Sequence, residues 1–144
     1  MVSLQVAIAV RVYQIQNIAR EARPIGVHSF DGEQAQVAGD SPVNKWSLKP
    51  TKEPNTFLFS LIESYPYVGV DDNLVMATKN AADNKKWKLN YVKERDAYTI
   101  ELPTNARPAT LWGMHNGELD SIVTLQRPRT LTNKHLWKLI PVDE

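Results

Sequence analysis

The sequence contains no cysteine, which excludes thiol nucleophiles, thiolate zinc sites and disulfide frameworks. Charge of one sign is almost equally lacking: 17 Lys and Arg stand against 16 Asp and Glu, a net charge of +1. So small an excess projects no long-range field for a polyanion, and neither nucleic acid nor an anionic membrane is expected as the partner. Long hydrophobic runs are missing, since none approaches the ~18 apolar residues of a membrane-spanning helix. The apolar stretch in the first ten residues has no basic residue ahead of it and no small-residue cleavage site. It reads as a first strand with a loose leader rather than a secretory signal, so a cytoplasmic protein is expected.

Helical periodicity is absent as well. Apolar runs are short, rich in Val, Ile, Tyr, Phe and Trp, and broken by nine prolines and by Asp-Gly, Asn-Gly and Asp-Asn turns, which is the pattern of strands. Residues 14–22 could be drawn as one or two helical turns, yet Tyr13, Ile15 and Asn17 alternate with Gln14 and Gln16, and Arg23-Pro24 ends the run. At 144 residues the chain makes one domain that buries roughly 70% of its unfolded surface, enough for a core without metal or disulfide staples.

What is present in quantity is repetition. Ile25-Gly26-Val27-His28, Val68-Gly69-Val70-Asp71 and Trp112-Gly113-Met114-His115 share an apolar-Gly-apolar-polar pattern, with glycines 43 and 44 residues apart. Each is followed by a turn and a further apolar strand: Gln36-Val37-Ala38, Leu74-Val75-Met76-Ala77 and Ile122-Val123-Thr124-Leu125. A Trp-x-Leu triplet closes each unit at Trp46, Trp87 and Trp137, and an aromatic strand opens each at Tyr13, Phe57 and Tyr98. Four strands written three times, in repeats near 10–50, 51–92 and 93–142, predict pseudo-threefold closure: an all-β chain folded as a β-trefoil, whose barrel and hairpin cap remove exposed strand edges. In that arrangement Trp46, Trp87 and Trp137 turn into the core, with Leu48, Leu89 and Leu139 on the same face. The three glycines mark points where a backbone or a large ring comes close. Trp112, aligned with Ile25 and Val68, is expected in the core.

The stretch Leu111-Trp112-Gly113-Met114-His115-Asn116-Gly117-Glu118-Leu119-Asp120-Ser121-Ile122-Val123-Thr124-Leu125, closed by His135-Leu136-Trp137-Lys138-Leu139, resembles the last repeat of the cospin-like fungal serine protease inhibitors, which are β-trefoils. Tyr13-Gln14-Ile15-Gln16-Asn17-Ile18-Ala19 looks like their first strand. The resemblance implies an inhibitor of serine proteases that inserts a pre-organised loop into the enzyme cleft; a monomer without a cofactor is expected. The resemblance directs attention to the loop holding Asp31, Gly32, Glu33 and Gln34. That loop carries no Arg or Lys, so trypsin's acidic specificity pocket would meet like charge there, and a protease of acidic or aromatic preference is expected if it is used. Of the other loops, residues 127–131 offer Arg129 followed by Thr130; the bond after Arg127 is blocked by Pro128.

A second reading comes from the same repeat. Fungal ricin-B-type lectins share the fold and a threefold Trp signature, and His28, Asp71 and His115 stand at equivalent positions, the last beside Asn116. These are the groups a shallow glycan site needs, although the Gln-x-Trp triplet of ricin-type modules is absent, with Asn44, Lys85 and His135 in its first position. Enzyme chemistry fares poorly. No H-E-x-x-H, G-x-S-x-G, P-loop or Rossmann pattern occurs, and His28, His115 and His135 are too dispersed over the repeats to be expected as zinc ligands. No catalytic residue, metal or cofactor is assigned.

Overall fold

The computed structural model describes residues 12–19, 23–29 and 31–142; the strand expected in the first ten residues lies outside them. Among the described residues eleven strands follow in order: β1 (Val12–Asn17), β2 (Gln34–Gln36), β3 (Trp46–Pro50), β4 (Thr56–Leu61), β5 (Tyr67–Asp71), β6 (Leu74–Thr78), β7 (Lys86–Val92), β8 (Ala97–Glu101), β9 (Leu111–Met114), β10 (Val123–Gln126) and β11 (Trp137–Val142). All pairings are antiparallel.

Six of them close into a barrel in the order β11-β1-β3-β4-β7-β8, with β8 returning to β11 through the pair Trp137–Tyr98. These are the opening and closing strands of each repeat, where the alternation of apolar and polar residues is cleanest: β1 and β4 both run buried, buried, half-buried, buried, half-buried, buried. One face of each barrel strand thus fills the barrel. The middle strands form the cap. Hairpins β5/β6 and β9/β10 meet each other and β2 edge to edge: β2 pairs with β6, β6 with β10, and a bridge between Ala38 and Ile122 completes the triangle. At its centre Val37 N–H donates to the Val75 carbonyl at 3.0 Å, and Val123 N–H to the Val37 carbonyl at 2.8 Å. This is a β-trefoil.

The twelfth strand expected from the repeat, around Ile25-Gly26-Val27, survives only as isolated bridges, Gly26 to Ala38 and Val27 to Val43. Pro24 supplies no N–H. The chain then leaves the ladder at His28, whereas Asp71 and Leu74 stay paired across a two-residue turn. The longer first hairpin frees β2 to pair with β6 instead.

The core obeys the threefold rule closely. Trp46, Trp87 and Trp137 are fully buried, and each indole N–H donates to the carbonyl just before a repeat glycine: Ile25 at 2.9 Å, Val68 at 3.3 Å and Trp112 at 3.3 Å. One bond type therefore ties barrel to cap three times. Trp112 is equally buried. Its ring lies 5.2 Å from Trp87, 5.5 Å from Phe59, 6.1 Å from Trp46 and 6.2 Å from Trp137, mostly edge to face, a geometry that adds about 0.5–1.5 kcal/mol per pair beyond area burial. Leu48 and Leu89 are fully buried, while Leu139 packs on the core only partly covered.

Candidate functional site

Three loop clusters hold the residues singled out by sequence. In the first, Asp31, Gly32, Glu33 and Gln34 are exposed. The Tyr65 hydroxyl donates to the Gly32 carbonyl at 3.1 Å and the Lys79 N–H to the Glu33 carbonyl at 2.9 Å, while Gln34 pairs with Thr78. Burial, then the charges of Asp31 and Glu33, hold the Tyr65 phenol above its usual range, so it stays a donor. These bonds fasten the loop down along the cap. A protease inhibitor presents the carbonyl of its specificity residue to the enzyme's oxyanion donors, and the carbonyl of Glu33 is already bound inward.

In the second cluster, Gln34 and Asp71 come together. They line a cavity of about 250 Å³ with Thr78 and Asp83, over apolar ground from Val70 and Met76. The local sequence explains why Asp83 is there. The Asn80 side chain accepts from Ala82 N–H at 3.0 Å and starts a single 3-10 turn, Ala81–Asp83. That turn settles so closely on β5 that a Cβ at position 69 would stand 2.0 Å from the Asp83 carbonyl oxygen; only glycine admits it. Thr78 Oγ1 accepts from Asn80 N–H at 3.0 Å, which leaves the hydroxyl proton for a ligand or another acceptor. Asp71, Asp83, Gln34 and Thr78 thus border one small cavity, a set of residues suited to hydroxyl groups. Asp83 and Thr78 carried no signal in the sequence.

His28, His115 and Asn116 do not join Asp71. They stand exposed at the other hairpin tips, one repeat each for the two histidines, and the Asn116 carboxamide is spent within its own turn on Glu118 N–H at 2.8 Å. Among the described residues no three His, Asp or Glu side chains are grouped to hold a metal ion.

The third cluster is the 127–131 loop between β10 and β11. Arg129 and Thr130 are exposed, and the Arg127 guanidinium reaches the Pro108 carbonyl with two nitrogens at 3.4 Å. Beneath the loop lies His135, just ahead of the Trp137 strand and buried, 2% exposed. Its Nδ1 accepts from Thr132 N–H at 3.1 Å, and its Nε2 meets Gln126 Oε1 at 2.9 Å. The Gln126 amide nitrogen donates to the Met114 carbonyl at 3.1 Å and to Thr124 Oγ1 at 3.0 Å. The signal was the spacing Thr132-x-x-His135, a capping box. Burial, then the Lys134 charge, push the imidazole pKa below its ordinary 6.5.

No protein-family model and no curated protein matches this chain. Solved structures do. The Rhizoctonia solani agglutinin superposes with a TM-score of 0.74 at 18% identity, covering 99% of both chains. The Polyporus squamosus lectin, solved with the epitope Neu5Acα2-6Galβ1-4GlcNAc bound, gives 0.68 at 14% identity over 90% of this chain, and Cry35Ab1 gives 0.73 at 14% over 92%. This chain spans only 48% of that lectin and 36% of Cry35Ab1. At these identities the likeness is one of fold, the β-trefoil.

Proposed function

We propose that this β-trefoil is a glycan-binding protein without catalytic activity, and that the cavity beside Asp71 holds the sugar. The observation that carries the reading is the convergence of Asp71, Asp83, Gln34 and Thr78 on one small cavity at the cap. Carboxylates accept hydrogen bonds from paired sugar hydroxyls, and amides both donate and accept. Two structural neighbours, a lectin and an agglutinin by name, support it. A glycan array followed by titration calorimetry tests it. Asp71→Asn removes a charge-assisted acceptor worth about 1.5–3 kcal/mol, so affinity should drop at least ~10-fold. Array silence across all glycans refutes the reading.

A second reading, inhibition of a serine protease, is favoured by one specific observation: the free Arg129 on a loop whose two ends are fastened to the same buried imidazole. Pre-organisation of that kind removes much of the ordering cost of binding, and an arginine suits an acidic specificity pocket. Trypsin, chymotrypsin, a glutamyl endopeptidase and subtilisin should be titrated with the protein, Arg129→Ala and Glu33→Ala. Tight inhibition lost in Arg129→Ala supports this reading; inhibition lost only in Glu33→Ala moves it to the first loop, and none at all refutes it.

A further inference from the structure

We propose that His135 is the positioning residue of the 127–131 loop, and that the loop is held while the imidazole is neutral and released when it takes up a proton. A backbone N–H can only donate, so Thr132 N–H fixes Nδ1 of His135 as an unprotonated acceptor, 3.1 Å away. The ring proton of the neutral form therefore sits on Nε2. Gln126 agrees from the other side: the Met114 carbonyl can only accept, so the Gln126 nitrogen must face it, and the Gln126 oxygen must face Nε2 at 2.9 Å. The Met114 carbonyl, the Gln126 amide, the imidazole and the Thr132 N–H each have one permitted role, and the Thr132 hydroxyl, 3.3 Å from Nδ1, can only donate to the neutral ring. Gln126 precedes the loop and Thr132 follows it, so the imidazole is the clasp between its two ends.

A second proton has one place to go, Nδ1, where it would oppose the Thr132 N–H at 3.1 Å and leave the Thr132 hydroxyl oxygen, 3.3 Å away, as the acceptor in reach. The backbone N–H then loses its partner in a buried site, and the clasp loosens. The surrounding charges do nothing to stabilise the cation. Lys134 on the same turn acts against it, the Arg95 guanidinium bonds Asn133 beside it, and Arg127 lies in the loop itself. β9 and β10 bring only uncharged residues, Leu111–Met114 and Val123–Gln126, and the contact from β1 is the Asn17 carboxamide on the Lys134 carbonyl at 2.9 Å.

The inference concerns order in the free chain and stands or falls separately from either binding reading. The test is nuclear magnetic resonance on the whole protein at about pH 7.5 and about pH 5, either side of the ordinary imidazole value. Ring nitrogen shifts report the tautomer and titration of His135; amide exchange of Arg129, Thr130 and Leu131, corrected for intrinsic rate, reports loop order. We expect the Nε2–H tautomer at the higher pH and about a tenfold rise in loop exchange at the lower. His135→Gln, whose amide nitrogen can donate to Gln126 but does not titrate, should exchange equally at both. An Nδ1–H tautomer, an imidazole that stays neutral until the protein unfolds, or a loop that ignores its titration would each overturn the proposal, as would equal acid loosening in His135→Gln.

Discussion

Alanine at the three repeat glycines should separate them, because what each glycine faces is different. A Cβ at Gly69 would lie 2.0 Å from the Asp83 carbonyl oxygen, where ordinary contact begins at 3.4 Å, so the backbone must retreat by about 1.4 Å. The turn that must move is anchored next door by Lys85 N–H on the Val68 carbonyl at 3.1 Å, the same carbonyl that takes the Trp87 indole at 3.3 Å. Losing or straining those two bonds costs about 1 kcal/mol each, and overpacking adds about 1–3 kcal/mol. Alanine returns about 0.4–1 kcal/mol through the unfolded chain. The net expectation is a loss of about 2–4.5 kcal/mol. Gly26→Ala, with the Val43 carbonyl oxygen at 1.9 Å, should match it. At Gly113 the nearest atom is Cδ of the Gln126 side chain, at 2.7 Å, which can swing away at the expense of part of its hydrogen bonding, so about 1 kcal/mol is expected. Urea midpoints at unchanged m-value measure all three. If Gly113→Ala costs as much as Gly69→Ala, the distinction between backbone and side-chain neighbours is wrong.

Trp→Phe substitutions should also divide. Trp46→Phe strands the buried Ile25 carbonyl, at a cost of about 1–3 kcal/mol beyond lost volume; Trp112→Phe deletes a buried N–H that has no partner and should cost less, as thermal melts will show. Because the imidazole pKa of His135 is lowered in the fold, the unfolded chain takes the proton first. Stability should therefore be flat above the ordinary value of about 6.5 and fall as pH drops through it, by up to about 1.4 kcal/mol per unit until the folded value is passed; His135→Gln should flatten that part of a urea-midpoint profile. The Lys86–Glu53 pair, about half exposed on both sides at 2.9 Å, should yield under 1 kcal/mol in a double-mutant cycle.

The scaffold was legible because its parts recur in fixed order: a repeated glycine with a tryptophan about 20 residues on has one threefold explanation, and the indole-to-carbonyl bonds show why both are needed. The lost twelfth strand was less legible. It depends on Pro24 and on a hairpin longer than its counterparts, and hairpin length is where repeats drift. Trp112 could be placed only by alignment with Ile25 and Val68, since its own type suits a core and a sugar platform equally. Asp71 stood out by position, whereas Asp83 reaches the same cavity through the Asn80 turn and the missing Cβ of Gly69, neither of which marks it in the chain. His135 is the extreme case: a histidine among polar residues reads as surface, and only the cap it makes with Thr132 and the reach of Gln126 bury it.

One ladder position links these observations. Gly26, Gly69 and Gly113 pair with Ala38, Met76 and Thr124, and two residues further on stand Asp40, Thr78 and Gln126. Thr78 and Gln126 end their strands, whereas Asp40 has left the ladder with φ 51°, and each does something different. Asp40 meets the Arg23 guanidinium at 3.3 Å in the open, an interaction worth little. Thr78, the shortest, lines the cavity with Asp71. Gln126, the longest, covers Gly113 and clasps the 127–131 loop through His135. The paired glycine position is repeated three times, while the residue two further on differs in side chain and, at Asp40, in backbone, so binding features arise there without touching the core. Repeat-to-repeat differences, and not the repeat itself, are then where this chain's function is written.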